Sequence, residues 1–223
     1  MKAWSVYLAM QNAFAYGDGV PNAGPASAEE ARIVAEYCAR LNAIGRLQRS
    51  LVIGPGGPRE VAALLPSLPG EVCVLTAHAP EVAKIQAELP PAVQVHLGDM
   101  HDMPFENGAF DFVFASNVLE HALAPYAALM QIRRVLKDGG VANLVLPDFA
   151  GFEGGTGPFH LHCLDERVWK ELLRKTGLPA AEIVRQESGN PEACACYWHF
   201  RCVAGGPPTP HDRVLEGVRG AHA

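Results

Sequence analysis

The chain has 223 residues, 49% of them hydrophobic and 19% charged, with a formal net charge of −6. That composition fits one large globular domain with a substantial core. It excludes a broad basic footprint for nucleic acid, leaving only a local patch at Arg133, Arg134 and Lys137. No apolar stretch approaches the ~20 residues needed to span a bilayer. The first ten residues, Met1 to Met10, read as a helix or cap because Gln11 and Asn12 interrupt a short apolar run. A cytoplasmic protein is expected, and Cys38, Cys73, Cys163, Cys194, Cys196 and Cys202 read as reduced, mostly buried thiols.

In chain order, Ser27-Ala-Glu-Glu30 is a capping box opening a helix with apolar positions Ile33, Val34, Tyr37, Cys38, Leu41 and Ile44. Leu51 to Ile53 predicts a strand, and Pro58 starts a helix to Leu65, since proline at a first helical position loses no hydrogen bond. Val72 to Leu75 is a second strand, Pro80 to about Leu89 a helix, and Val93 to Leu97 a third strand. After a loop from Gly98 to Ala109 comes the strand Phe110 to Ala115. A helical region from Val118 to Lys137 follows, interrupted at Pro125. Asp138-Gly-Gly140 predicts a tight turn into the strand Val141 to Leu146. Glu166 to Thr176 predicts a helix, followed by strands near Ile183–Arg185 and Cys194–Val203. Residues 1–26 are expected to form a cap or lid, 27–204 the domain, and 205–223 a flexible Pro/Gly-rich tail.

Strands alternating with helices imply a parallel sheet covered on both faces, with ligands at the carboxyl ends of the strands. The residues just after each strand are therefore the functional candidates. Leu51-Val-Ile-Gly-Pro-Gly-Gly-Pro58 is the most telling of these, a strand that breaks into glycine where backbone can approach a nucleotide-like ligand.

Four motifs stand in order: Gly54-Pro-Gly56, Gly98-Asp-Met-His-Asp-Met-Pro-Phe105, Gly108-Ala-Phe-Asp-Phe-Val-Phe-Ala-Ser-Asn-Val-Leu-Glu-His121 and Arg134-Val-Leu-Lys-Asp-Gly-Gly140. Together they resemble the class I S-adenosylmethionine-dependent methyltransferases over roughly residues 48–150. The resemblance implies a Rossmann-like α/β fold with a seven-stranded, mostly parallel sheet, helices on both faces and an antiparallel C-terminal strand. It implies S-adenosylmethionine as cofactor, with its methionine part against Gly54 and Gly56. Asp99 would accept a hydrogen bond from the adenine amino group, Met100 would line the adenine, and Asn117 would face the sulfonium and the substrate. Three positions depart from the family pattern. Val52 stands where an acid precedes the first glycine, Pro58 replaces the third glycine, and Ala77 replaces the acid that grips the ribose hydroxyls, with His78 beside it as a partial substitute.

His160 and His162 lie in the long loop after the fifth strand, and a neutral imidazole there can take a proton as a methyl group moves. His121, which the resemblance places near the active site, is the third candidate; capping or structural hydrogen bonds are the alternative roles. The run Cys194-Ala-Cys196-Tyr-Trp-His199 invites a metal. Strand parity opposes one, because Cys194, Cys196, Trp198, Phe200 and Cys202 share a face that His199 does not. No metal is expected. The leading expectation is methyl transfer to a heteroatom of a small molecule, oxygen slightly before nitrogen or sulfur, with Gly151 to Gly157 as a lid. A degenerate, methyltransferase-like binding subunit is the alternative, supported by Val52, Pro58 and Ala77. Aminopropyl transfer ranks third, since Ser116-Asn-Val-Leu119 lacks the acids a cationic substrate calls for. Neither nucleic acid nor membrane is expected as a partner, and the sequence leaves room for a homodimer or a partner protein.

Overall fold

Side chains alternate between the two faces of each strand, and here both faces are apolar. Leu51 and Ile53 point to one cluster while Val52 points to the other; Cys73 and Leu75 oppose Val72 and Val74; Val113 and Ala115 oppose Phe112 and Phe114. A strand patterned this way must be covered on both sides. The computed structural model describes residues 28–43, 45, 47–68, 70–148, 160–187 and 196–205. Its helices α1 (Ala28–Ala43), α2 (Pro58–Leu64) and α3 (Ala79–Glu88) supply one cluster. Helices α4 (Pro125–Val135) and α5 (Glu166–Lys175) supply the other.

Between them lies a seven-stranded sheet: β1 (Arg49–Ile53), β2 (Glu71–Thr76), β3 (Gln94–Leu97), β4 (Phe110–Ser116), β5 (Leu136–Asp148), β6 (Ala180–Glu187) and β7 (Cys196–Val203). The order is β3-β2-β1-β4-β5-β7-β6. Strands β1 to β5 pair in parallel, whereas β7 runs antiparallel to both β5 and β6. This is the expected class I arrangement. The winding direction reverses between β1 and β4, the point where open α/β sheets leave a crevice.

Two local expectations differ from the structure. The helix after Pro125 ends at Val135, and Leu136 already pairs with Phe110, so Asp138-Gly-Gly140 lies inside β5 instead of forming a separate turn. The register shifts between Phe110 and Phe112, and Gly139 takes up the irregularity at φ +74°. The break at Pro125 is real: a short 3-10 turn, Leu119–His121, precedes α4 and Pro125 opens it. Ser27, the segment 1–26 expected to form a cap or lid, Ile44, the 151–157 glycine loop, Cys194 and the tail beyond 205 lie outside the described residues.

The face of β7 opposite Phe200 and Cys202 is not solvent. Arg201 donates to Glu182 Oε1 at 2.6 Å and to the Ile33 carbonyl at 3.1 Å, with its guanidinium 4.3 Å from the Tyr37 ring centroid. His199 Nε2 lies 2.7 Å from Gln186 Oε1. Asn143, fully buried in β5 between Phe114 and Arg201, has neither amide atom hydrogen-bonded. An unsatisfied buried amide costs on the order of 1–3 kcal/mol. Asn143→Val should therefore stabilise the protein by about 1–2 kcal/mol, raising Tm by roughly 2–4 °C for each kcal/mol. Calorimetry showing a lower Tm would mean that the amide has a partner after all.

Buried ionisable groups set a pH dependence. Burial pushes the Glu120 carboxyl up to about 8. It pushes Glu60 up to about 7, aided by Glu30 and Glu81 and opposed by the Gly56 N–H. Burial and then Arg201 lower His199 to about 4. Between about pH 4 and 6.5 the unfolded chain binds the extra proton at His199, so that group adds stability as pH rises. The two glutamates act oppositely, because the folded state holds their protons and loses that advantage as pH climbs through 7 and 8. Above pH 6.5 only the glutamate effect remains. In chelator-containing buffer, Tm should fall from pH 6.5 to 8.5, and Glu120→Gln should remove much of that slope.

Candidate active site at the carboxyl edge of the sheet

Because β1 to β5 are parallel, their carboxyl ends share one edge, and each following loop is anchored by continuing the ladder. Gly54 N donates to the Leu75 carbonyl at 2.8 Å, Gly98 N to Thr76 at 2.9 Å, and Asn117 N to Val145 at 3.0 Å. These bonds bring the Gly54, His78, Asp99 and Asn117 segments together. At the reversal between β1 and β4, Gly54 has φ +60°, and a Cβ there would sit 2.5 Å from Val118 Cγ2. The missing side chain thus admits Val118 and closes the two loops on each other. Gly57 is open by contrast, with φ +139° and nothing within 4 Å of a Cβ position. Gly56 N donates to Glu60 Oε2 at 2.8 Å, which holds the loop onto the start of α2.

Asp99 has the most specific geometry. Its Oδ1 accepts from the His101 backbone N–H at 2.9 Å and lies 2.7 Å from His101 Nδ1. Ala124 N donates to His101 Nε2 at 3.2 Å, so that nitrogen is the acceptor and the ring proton sits on Nδ1, facing Asp99. Burial alone would raise the Asp99 carboxyl, but the His101 ring and backbone outweigh it and hold the group below the usual aspartate value. Its Oδ2 is buried and has no hydrogen-bond partner among the described residues. A charged acceptor with one oxygen locked and the other unused is what an adenine amino group requires, so the residues fit S-adenosylmethionine at this point. Met100 packs half-buried against the core beside it. Arg134 secures the whole 98–109 loop, donating to the Phe105 carbonyl at 2.6 Å and the Met103 carbonyl at 2.9 Å. Arg133 and Lys137 are paired with Asp138 and Asp111, so two of the three basic groups in the patch read from the sequence are held in ion pairs.

After β2, His78 occupies the N-cap of α3 and its N–H donates to Thr76 Oγ1 at 3.1 Å. Thr76 Oγ1 in turn donates to Glu81 Oε2 at 2.9 Å. Ala77 leaves no carboxylate at the position itself, and Glu81 is the nearest acid along the chain, buried on α3. Asn117 stands at φ +49°, a left-handed conformation asparagine tolerates better than most residues. Such outliers persist where surrounding structure holds them, often at ligand sites. Its Nδ2 donates to Ser116 Oγ at 3.1 Å.

Of the three candidate histidines, the fold joins two closely. His121 and His160 have ring centroids 4.9 Å apart, and Glu120, almost fully buried, shares their corner. Burial, then His121, lowers the His160 pKa, which favours the neutral ring. His162 is tied to the same turn by its backbone, its N–H donating to the Glu120 carbonyl at 3.1 Å. The sequence reading passed over Glu120, Glu60 and His101. An acid inside an otherwise apolar run was the available signal for Glu120; His101 sits in the motif after β3 at a position that the resemblance gives no role, and Glu60 had no signal. Cys196 and Cys202 are buried free thiols in β7, as parity suggests.

Residues 51–144 match the methyltransferase domain family. A 37.1 kDa protein in transposon TN4556 of Streptomyces fradiae is 42% identical over 69 residues, which cover 31% of this chain and 20% of that protein. The aligned segment thus spans a fifth of the length of the curated relative it matches. Among solved structures, 1,6-didemethyltoxoflavin-N1-methyltransferase of Burkholderia thailandensis, with its substrate and S-adenosylhomocysteine bound, superposes with a TM-score of 0.69 at 19% identity, covering 91% of this chain and 89% of that one. The [4+2]-cyclase SpnF superposes with a TM-score of 0.61 at 20% identity, covering 74% and 63%. Motifs, sheet order and matched segment agree: residues 51–144 match a methyltransferase domain, set in a sheet of the class I methyltransferase fold.

Proposed function

We propose that the chain transfers the methyl group of S-adenosylmethionine to a heteroatom of a small molecule, with oxygen preferred. The observation that carries this reading is Asp99, whose Oδ2 is buried and unpartnered while Oδ1 is fixed by His101. When bound, the cofactor supplies an activated methyl on a sulfonium whose thioether is already a good leaving group. The protein's own residues then align, desolvate and manage a proton. Asp99 and Met100 hold the adenine end, the Gly54–Gly57 loop receives the methionine end, and Asn117 faces the reacting centre. His121 and His160 meet the acceptor at the end of β4, with His162 on the same loop as a further proton acceptor. Five free thiols among the described residues suit a reducing, cytoplasmic setting. No helix among the described residues is long and apolar enough to cross a membrane.

A second reading, a binding subunit without catalysis, is favoured by one observation: Ala77 leaves the ribose without its usual acid. Calorimetry separates the two. Titration with S-adenosylhomocysteine should give a micromolar Kd. Asp99→Ala should weaken it by about tenfold to a hundredfold, the cost of a charge-assisted hydrogen bond of roughly 1.5–3 kcal/mol. No heat from the wild type would favour the non-catalytic reading. Ala77→Asp should act oppositely and tighten binding by about tenfold or more; unchanged affinity would mean that the ribose does not lie against residue 77.

A further inference from the structure

Glu120 and His160 are 40 residues apart in sequence, yet backbone hydrogen bonds clamp their segments together. Leu161 N and His162 N both donate to the Glu120 carbonyl, at 2.9 and 3.1 Å. The 3-10 turn that carries Glu120 and His121 is itself closed by bonds from His121 N to Val118 and from Ala122 N to Leu119. As a result a carboxylate oxygen of Glu120 and one ring nitrogen each of His121 and His160 lie within 4.8 Å of one another. The Glu120 side chain is 1% exposed. Its Oε2 has no hydrogen-bond partner among the described residues. Among the described residues no lysine or arginine pairs with it, and the basic group nearest to an ion pair is His121 Nε2, 4.0 Å from Oε1.

A buried carboxyl without a cation holds its proton, and pairing or metal coordination is what lets it carry its charge. Two imidazoles and one carboxylate form a donor set suited to zinc-class ions, and three protein ligands leave a coordination position open for a substrate. Metal–ligand bonds of about 2.0–2.2 Å place tetrahedral ligand atoms roughly 3.4 Å apart. The three donors, within 4.8 Å of one another, therefore need to close by up to about 1.4 Å, a movement open to the partly exposed histidines while Glu120 stays fixed.

We propose that Glu120, His121 and His160 bind one divalent transition-metal ion of the zinc class, whose open position takes the methyl acceptor's hydroxyl or thiol. This rests on the transferase reading and sharpens it, making the two histidines ligands in place of direct proton acceptors. An acceptor held there releases its proton to solvent. Its lone pair forms the new bond to the methyl carbon as the carbon–sulfur bond breaks, and that electron pair leaves with the neutral thioether. The ion polarises the acceptor and undergoes no redox change.

The test is titration of chelator-treated, full-length protein with Co²⁺, followed by visible absorption, then displacement by Zn²⁺. One equivalent should bind with the absorption of a low-symmetry N/O site, and Zn²⁺ should raise Tm. His121→Ala and His160→Ala, on separate elements so that one misfolded variant does not end the test, should each weaken binding by more than about tenfold. Absent uptake by the wild type, or uptake that survives both substitutions as an adventitious ion on groups such as the exposed Cys163, would overturn the site. S-adenosylhomocysteine calorimetry on the same wild-type sample keeps the two readings apart. Cofactor heat without Co²⁺ uptake removes the metal and leaves the transferase; Co²⁺ uptake without cofactor heat does the reverse.

Discussion

The contact between Gly54 and Val118 is the constraint on which the rest of the site depends. The chain reverses its winding between β1 and β4, so the loops leaving those strands must part to form a crevice while staying close enough to act together. A Cβ at Gly54 would lie 2.5 Å from Val118 Cγ2, and the φ of +60° is itself unfavourable for a side chain. Glycine there satisfies both demands. With that closure in place, Asn117 is pinned beside the crevice and the turn carrying Glu120 and His121 follows at a fixed distance.

Charge inside this edge is handled unevenly. Asp99 is stabilised as an anion by two hydrogen bonds from one residue, His101, whose own ring is oriented by the Ala124 backbone. Glu60 and Glu81 each have one donor, from Gly56 N and Thr76 Oγ1. Glu120 has a buried oxygen with none. A cationic cofactor and a metal ion are two ligands that carboxylates in this state would favour, for the same reason: each supplies positive charge where water has been excluded. The fold alone does not choose among chemistries, since one sheet architecture carries many activities; the side chains after β3, β4 and β5 do.

Much of the fold could be read from the chain. Prolines 58 and 80 mark helix starts to within a residue, the break expected at Pro125 is where α4 begins, and the apolar runs from Leu51, Val72 and Phe110 mark strands because both faces are buried. Asp138-Gly-Gly140 misled because glycine pairs signal turns and bulges alike, and only the pairing of Leu136 with Phe110 distinguishes them. At the candidate site, the positions of Asp99 and Asn117 just after β3 and β4 were legible through motif order. His101 was not, since its role depends on a backbone N–H twenty-three residues away.

The sequence by itself determined the alternation of elements, the two-sided burial of the strands and the chemistry available after each one. Those are properties of local spacing, fixed by side-chain period and by the conformational limits of glycine and proline. Tertiary structure alone decided which of those groups meet. It brought His160 against His121 and Glu120, left one oxygen of Asp99 without a partner among the described residues, and paired Arg133 and Lys137 with Asp138 and Asp111. Such pairings join residues tens of positions apart, and they follow from which strands lie side by side in the sheet.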